Sequence, residues 1–154
     1  MVPLKLLLCA ALFAVASSTE VRQCRGQSTE GLTDAVTLSS CKVPPCRLKK
    51  GKNQRVQITF TPEKNMNDVV AHVTANVLGA DLPFVGVDGI SICNKIEKED
   101  GTKASCPLQA GTKYVYKDSF PVLEFYPSIH VDVHWALQHN KKDIICFEVP
   151  ADIQ

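Results

Sequence analysis

Apolar and polar residues alternate without a break between residues 128 and 138. The apolar positions are Ile129, Val131, Val133, Trp135 and Leu137. The opposite side of the segment carries Ser128, His130, Asp132, His134, Ala136 and Gln138. A period of two is typical of a β-strand with one buried face. Pro127 precedes this pattern and cannot donate a ladder hydrogen bond, so we expect it at the strand's first position or on an edge.

The same alternation recurs in residues 56–60, 69–78 and 145–149, and more weakly in residues 33–40, 90–93 and 113–120. Valine and threonine are frequent in residues 69–78, which favours a strand there over a helix. Turns rich in glycine, proline and polar residues separate these segments. The pattern predicts an all-β chain of seven to eight short strands with no convincing helix, folded as an antiparallel β-sandwich.

Two predicted connections are unusually apolar. Residues 79–89 contain glycine and proline together with Leu82, Phe84 and Val85, and residues 120–127 contain several large apolar side chains. Those of the second connection are Phe120, Val122, Phe125 and Tyr126. Either these side chains cap the end of the core, or they form the mouth of a pocket between the two sheets. The alternation alone leaves both interpretations open.

The N-terminus has the pattern of a secretory signal peptide. Lys5 precedes an apolar run over residues 6–16, and small residues follow. The run is too short to span a bilayer comfortably, which disfavours the alternative of a membrane anchor. We therefore expect a signal peptide over residues 1–18 and one secreted domain over residues 19–154.

Cysteine usage agrees with an oxidising compartment. The chain has seven cysteines, and removal of Cys9 with the signal peptide leaves an even set of six. Spacing alone does not choose among the possible pairings. A tight proline turn favours Cys41–Cys46, a polar loop favours Cys93–Cys106, and Cys24–Cys146 would then join the two ends of the domain. A zinc site is the alternative, but no cysteine or histidine pair has the usual ligand spacing.

Charge and motifs point away from several classes of function. With 17 basic and 16 acidic residues, the chain gives no reason to expect nucleic acid as a partner. The basic run in residues 47–52 is interpreted as a solvated loop, with docking of an acidic partner as the alternative. We find no catalytic motif and no cofactor motif, so we expect a protein that is not an enzyme. His130, Asp132 and His134 share one strand face, and solvent exposure explains them without a metal ion.

Several short motifs together resemble the lipid-recognition (ML) domain family over nearly all of residues 19–154. They are Cys24, residues 41–46, residues 50–51, residues 56–61, residues 82–84, residues 88–93, residues 106–107, residues 126–129, residues 135–137 and residues 146–150. The resemblance implies an immunoglobulin-like β-sandwich with the three disulfides favoured above. It also implies an apolar cavity between the sheets that holds a sterol or a fatty acid, with no cofactor.

The resemblance also implies which residues line that cavity. At its mouth we expect Leu82, Phe84, Val122, Tyr126 and Pro127. Deeper in the cavity we expect Val56, Ile58, Val73, Val131, Val133 and Trp135.

The resulting hypothesis is a soluble, secreted lipid carrier that binds sterol and passes it between membranes or to a membrane acceptor. The resemblance implies a monomer that acts outside the cell or in the lysosome lumen, with a lysosomal membrane sterol transporter as a candidate partner. One alternative is innate-immunity recognition of lipopolysaccharide or lipoteichoic acid, and another is carriage of fatty acids or semiochemicals. The chain has no Asn-X-Ser/Thr sequon, so the sequence does not support glycan-dependent delivery to lysosomes.

Overall fold

The computed structural model describes residues 17–154, and residues 1–16 of the predicted signal peptide lie outside this part. Two β-sheets face each other and enclose an apolar core, which confirms the predicted β-sandwich. Within residues 17–154, no helix has the length and apolar character needed to cross a membrane. In chain order the elements are β1 (Arg22–Gln23), α1 (Leu32–Ala35), β2 (Val36–Leu38), β3 (Cys46–Leu48), β4 (Asn53–Phe60), β5 (Val70–Val77), β6 (Ala80–Pro83), β7 (Ile90–Ser91), β8 (Ile96–Lys98), β9 (Lys103–Ala104), β10 (Tyr114–Pro121), β11 (His130–His139) and β12 (Lys142–Ile153).

The larger sheet has seven strands and is built around β11. Its order is β1-β12-β11-β5-β6, with β7 beside β5 and with β3 parallel to the end of β12. All its other pairings are antiparallel. On β11, Trp135 pairs with Phe147 of β12 on one side and with Val73 of β5 on the other. The alternating pattern thus places one continuous apolar surface toward the second sheet.

The smaller sheet has five antiparallel strands in the order β2-β4-β10-β8-β9. Its two long strands, β4 and β10, pair along their whole length, so that Ile58 lies beside Tyr116 and Gln54 lies beside Phe120. Ile58 and Tyr116 are fully buried, and Gln54 and Phe120 are nearly so. This sheet therefore supplies the opposite wall of the core.

Three details differ from the sequence-based expectations. β11 begins at His130 rather than at Pro127, because the segment between Pro121 and Pro127 turns and Tyr126 donates its amide to the Leu123 carbonyl. Residues 79–89 are not wholly a loop, since β6 pairs with β5. Residues 33–40 form a strand only over Val36–Leu38, after one helical turn that starts at a left-handed Gly31. The additional strands have two to four residues, too few for alternation to reveal them.

The disulfides join Cys24 to Cys146, Cys41 to Cys46 and Cys93 to Cys106, as the cysteine positions favoured. Cys24–Cys146 covers the outer face of the larger sheet and buries Ala136 completely. The alternation placed Ala136 on the polar side of β11. That side is correct, but the disulfide shields it from solvent.

Tyr116 is a buried polar residue in the smaller sheet. Its hydroxyl donates to Asp118 Oδ2 at 2.8 Å, and the same oxygen accepts from Lys95 Nζ at 2.7 Å. Burial raises the pKa of Tyr116 above its ordinary value, and the Asp118 carboxylate acts in the same direction. The phenol therefore stays neutral in the fold under alkaline conditions that ionise it in the unfolded chain.

This pKa shift predicts a loss of stability at high pH. Above about pH 10 the unfolded chain releases the Tyr116 proton and the folded chain does not, so the free energy of unfolding falls by about 1.4 kcal/mol per pH unit from this group. Urea unfolding of the wild type and of Tyr116→Phe over a series of alkaline pH values measures the difference. The variant should lose less stability as pH rises. If the free energy of unfolding fell equally with pH in both proteins, the raised pKa of Tyr116 would be contradicted.

Candidate functional site

A small, partly enclosed cavity lies between the two sheets, near the end where β10 runs into the loop before β11. Its volume is about 20 Å³, close to the space that one water molecule occupies. Its lining is apolar apart from the amide of Gln54. The lining residues are Leu38, Cys46, Leu48, Gln54, Val73, Phe84, Phe120, Val133, Trp135, Phe147, Val149 and Ala151.

Four of the residues predicted to face a cavity do line it: Val73, Phe84, Val133 and Trp135. The other deep candidates are buried in the same core but do not border the cavity; they are Val56, Ile58 and Val131. Val122, predicted at the mouth, is also buried and away from the lining. Of the other mouth candidates, Tyr126 is half-buried, whereas Leu82 and Pro127 are exposed.

Eight lining residues were not among the predicted set. Three of them, Phe120, Phe147 and Val149, lie in segments whose apolar character the sequence shows. The others come from short strands or from polar or small positions, where the periodic signal is weak or absent; they are Leu38, Cys46, Leu48, Gln54 and Ala151.

Five aromatic rings form a continuous row from the cavity to the surface. Trp135 contacts Phe120 at 5.5 Å between ring centroids, and Phe120 contacts Phe84 at 5.6 Å. Phe84 in turn contacts Tyr126 at 5.4 Å, and Tyr126 contacts Phe125 at 5.3 Å. The inner end is buried, with Trp135 2% exposed, and the outer end is open, with Phe125 75% exposed. This aromatic row joins the cavity lining to the surface through ring-to-ring contacts.

The outer end of the aromatic row lies in an exposed apolar rim. Leu82 and Val85 are each about half exposed. Val85 donates its amide to the Tyr126 hydroxyl at 3.1 Å, which joins the segment after β6 to the loop before β11. Isolated exposed apolar residues are common on proteins, but a group of them is typical of a binding site.

The segment of residues 84–89, here called the mouth segment, is held to the edge of the larger sheet through Asp88. One oxygen of its carboxylate accepts from the Val73 amide at 2.8 Å and lies 2.9 Å from His72 Nδ1. Backbone bonds complete the attachment, because Phe84 donates to the Val73 carbonyl and Gly89 to the Ala71 carbonyl. Asp88 therefore fixes the position of Phe84 over the cavity.

The polar face of β11 lies on the outside of the sandwich. His130 pairs with Asp152 at 2.7 Å, and Asp132 pairs with Arg22 at 2.6 Å. His134 lies 3.7 Å from Glu148 and near the Cys24–Cys146 disulfide, whose sulfurs are bonded to each other and are not thiolate ligands. His130 and His134 thus face acidic residues of the adjacent β12, and Asp132 is paired with Arg22 of β1, on the far side of β12.

Fold and site together define a disulfide-linked β-sandwich with a small apolar cavity and a row of packed aromatic rings between that cavity and the surface. The family described as the ML domain matches residues 18–153. The chain belongs to the ML domain family, as its motifs predicted.

Individual relatives are similar over most of their length. The chain is 34% identical to the NPC intracellular cholesterol transporter 2 of Mus musculus over 129 residues, which cover 82% of this chain and 80% of the relative. It is 34% identical to homolog a of that transporter in Drosophila melanogaster over 149 residues, 95% of each chain. A crystal structure of a Niemann-Pick type C2 protein from Japanese carpenter ant has a TM-score of 0.63 at 26% identity, with 77% of this chain and 89% of that chain covered.

We expect Asp88→Ala to loosen the mouth segment. Removing the carboxylate leaves the Val73 amide without its acceptor, which should lower the free energy of unfolding by about 1–3 kcal/mol. Hydrogen exchange of the Phe84 and Gly89 amides should become faster.

The matched control is Asp100→Ala. Asp100 also accepts from a backbone amide, that of Thr102 at 2.9 Å, but in the turn between β8 and β9. The control should leave exchange of the mouth-segment amides unchanged. Equal exchange in both variants would show that Asp88 does not hold the segment.

Proposed function

We propose that this protein is a secreted carrier that binds a sterol-like lipid between its two sheets and transfers it between membranes or to a membrane acceptor. The aromatic row is the observation that carries the proposal. It joins an apolar cavity to an apolar rim, and when its rings part they form an apolar passage, which suits an apolar ligand better than a polar one. The relatives named as cholesterol transporters support a sterol as the ligand.

The size of the cavity implies that binding is coupled to separation of the sheets. Ligand pockets have volumes of about 300–1,000 Å³, whereas the cavity measures about 20 Å³. Burying a few hundred Å² of lipid surface contributes roughly 5–10 kcal/mol. Parting Phe84 from Phe120 costs an aromatic contact of about 0.5–1.5 kcal/mol beyond its buried area. A lipid can therefore supply the free energy that opens the site.

The remaining parts of the proposal concern where the carrier works. The predicted signal peptide supports secretion, and the resemblance of the sequence motifs to the ML family implies action in the lysosome lumen as well, with a membrane sterol transporter as acceptor. We propose a monomer, because one chain contains the whole cavity and its passage.

A second candidate is recognition of microbial lipids such as lipopolysaccharide or lipoteichoic acid. It is favoured by the basic turn of residues 49–52, which lies beside the loop before β11. Gly51 donates its amide to the Val122 carbonyl at 2.7 Å, and Lys50 Nζ donates to Ser128 Oγ at 2.7 Å. Lysines beside an apolar passage suit an anionic headgroup. Competition of sterol, fatty acid and lipopolysaccharide for one fluorescent lipid separates these ligand classes.

For sterol binding we expect Phe84→Leu to weaken affinity by about two- to tenfold, because the ligand loses the edge and face contacts of one aromatic ring. Titration of a fluorescent sterol measures the effect.

The matched control for this substitution is Phe60→Leu. Phe84 and Phe60 are 4% and 5% exposed, but Phe60 packs on Tyr114 away from the cavity lining. Affinity should be unchanged in the control. Equal weakening in both variants would mean that general stability, not the passage, controls binding.

For lipid transfer we expect Phe125→Ala to slow sterol exchange between vesicles several-fold at nearly unchanged affinity, because the exposed ring touches the membrane and not the cavity. The comparison variant is Ile90→Ala, which removes another exposed apolar side chain from β7, toward the far end of the sheet. It should transfer sterol like the wild type. If Phe125→Ala transferred sterol between vesicles at the wild-type rate, the rim would have no role in transfer.

A further inference from the structure

Two histidines from neighbouring strands meet on the outer face of the larger sheet. His72 of β5 pairs in register with Ala136 of β11, and His134 lies two residues before Ala136 on the same face of β11. The two imidazole rings are 5.8 Å apart between centroids, with their planes at 68°. Diagonal neighbours on adjacent strands are within reach of each other when their side chains are long or aromatic. Strand pairing thus brings together two groups that lie far apart in the sequence.

The separation of the two rings suits a single metal ion between them. A Zn–N bond is about 2.0–2.1 Å long and a ring nitrogen lies roughly 1.1 Å from its ring centroid, so two imidazoles bound to one tetrahedral ion have centroids about 5 Å apart. The observed 5.8 Å is close to this value. A small rotation of either side chain is therefore enough for both rings to bind one ion.

Each of the two histidines has a carboxylate beside Nδ1. His72 Nδ1 lies 2.9 Å from Asp88 Oδ1, and His134 Nδ1 lies 3.7 Å from Glu148 Oε1. Metal-bound histidines usually donate their other ring N–H to a carboxylate or a carbonyl, which fixes the tautomer and the ring orientation. The two carboxylates therefore favour the tautomers in which both Nε2 atoms carry a lone pair for a cation.

The histidine pair borders a polar groove of about 550 Å³. The charged residues of its lining are Arg25, Asp81, Asp132 and Glu148. Even with Asp132 paired to Arg22, the lining keeps a net negative charge, which favours a cation. The side chains of His72 and His134 are 40% and 32% exposed, so an ion reaches them from solvent. Within residues 17–154, no third histidine, cysteine or carboxylate forms a ligand group with both histidines, which leaves the remaining coordination positions to water.

We propose that His72 and His134 form a surface site for a divalent transition-metal cation, Zn²⁺ or Cu²⁺, bound through the two Nε2 atoms. Imidazole nitrogen suits these ions, whereas Ca²⁺ and Mg²⁺ prefer oxygen ligands. His130 and Asp132 are not part of the site, because each is engaged with a charged partner of its own. The site lies outside the sandwich, so the inference does not depend on which lipid the cavity holds.

Electron paramagnetic resonance of the Cu²⁺-loaded wild type tests the proposal directly. Cu²⁺ is the probe because it binds a given nitrogen site more tightly than Zn²⁺ does. The protein carries no affinity tag, so that all its histidines are its own. Near neutral pH we expect one bound Cu²⁺ per chain, with spin-echo modulation from two imidazole rings. Modulation from one ring, or no bound Cu²⁺, would overturn the proposal.

Calorimetric titration of variants with Cu²⁺ and with Zn²⁺ identifies the ligands. His72→Gln and His134→Gln should each weaken affinity by at least about tenfold, the smaller end of the loss that even the partners of metal ligands cause. The matched control is His130→Gln. His130 lies on the same face of β11 and also has a carboxylate at Nδ1, that of Asp152 at 2.7 Å, but its register partner is this aspartate and not a histidine.

The control should bind both ions like the wild type. If His130→Gln lost as much affinity as the other two variants, or if only one or neither of those two lost affinity, the ion would not be held between His72 and His134. The spectrum of the wild type decides the question by itself if a variant does not fold.

Discussion

The contact between Phe84 and Phe120 keeps the sandwich closed over its cavity. Phe84 comes from the mouth segment at the edge of the larger sheet, Phe120 comes from β10 of the smaller sheet, and their rings meet edge to face at 5.6 Å. The rest of the site depends on this contact, because it separates the buried half of the aromatic row from the half that reaches solvent. Aromatic contacts of this kind contribute about 0.5–1.5 kcal/mol beyond buried area, so the closure is firm but reversible.

The two ends of the sandwich have different packing. Away from the cavity, Phe60 and Tyr114 pack together, and buried aliphatic residues such as Leu137 and Ile145 complete a solid core. Near the cavity, the inner faces meet through rings and leave a small void. The proposed opening of the site requires a change of shape only at the end with the void, so the dense end can preserve the fold.

Alternation along the strands predicted the sandwich, the long strands and the inward face of β11, because a period of two follows directly from backbone geometry. It did not predict which inward residues border the cavity. Val56, Ile58 and Val131 have the same pattern as Val73 and Val133, yet they lie at other levels of the core. Periodicity identifies the face of a strand but not the position along the sandwich. Gln54 is polar, and β3 is too short to show alternation. Their place on the cavity is set by long-range pairing with β10 and β12, which periodicity does not reveal.

The positions of the disulfides determine how the sheets separate. Cys41–Cys46 joins the end of β2 to the start of β3, and Cys93–Cys106 joins the segments after β7 and β9, so each bond ties one sheet to the other. Neither bond lies at the corner where Phe84 meets the loop before β11. The two bonds therefore restrict sliding and complete separation of the sheets, and they leave that corner as the place where the sheets can tilt apart. For the carrier proposed above, a long ligand that enters and leaves at this corner must release last the part that went in first.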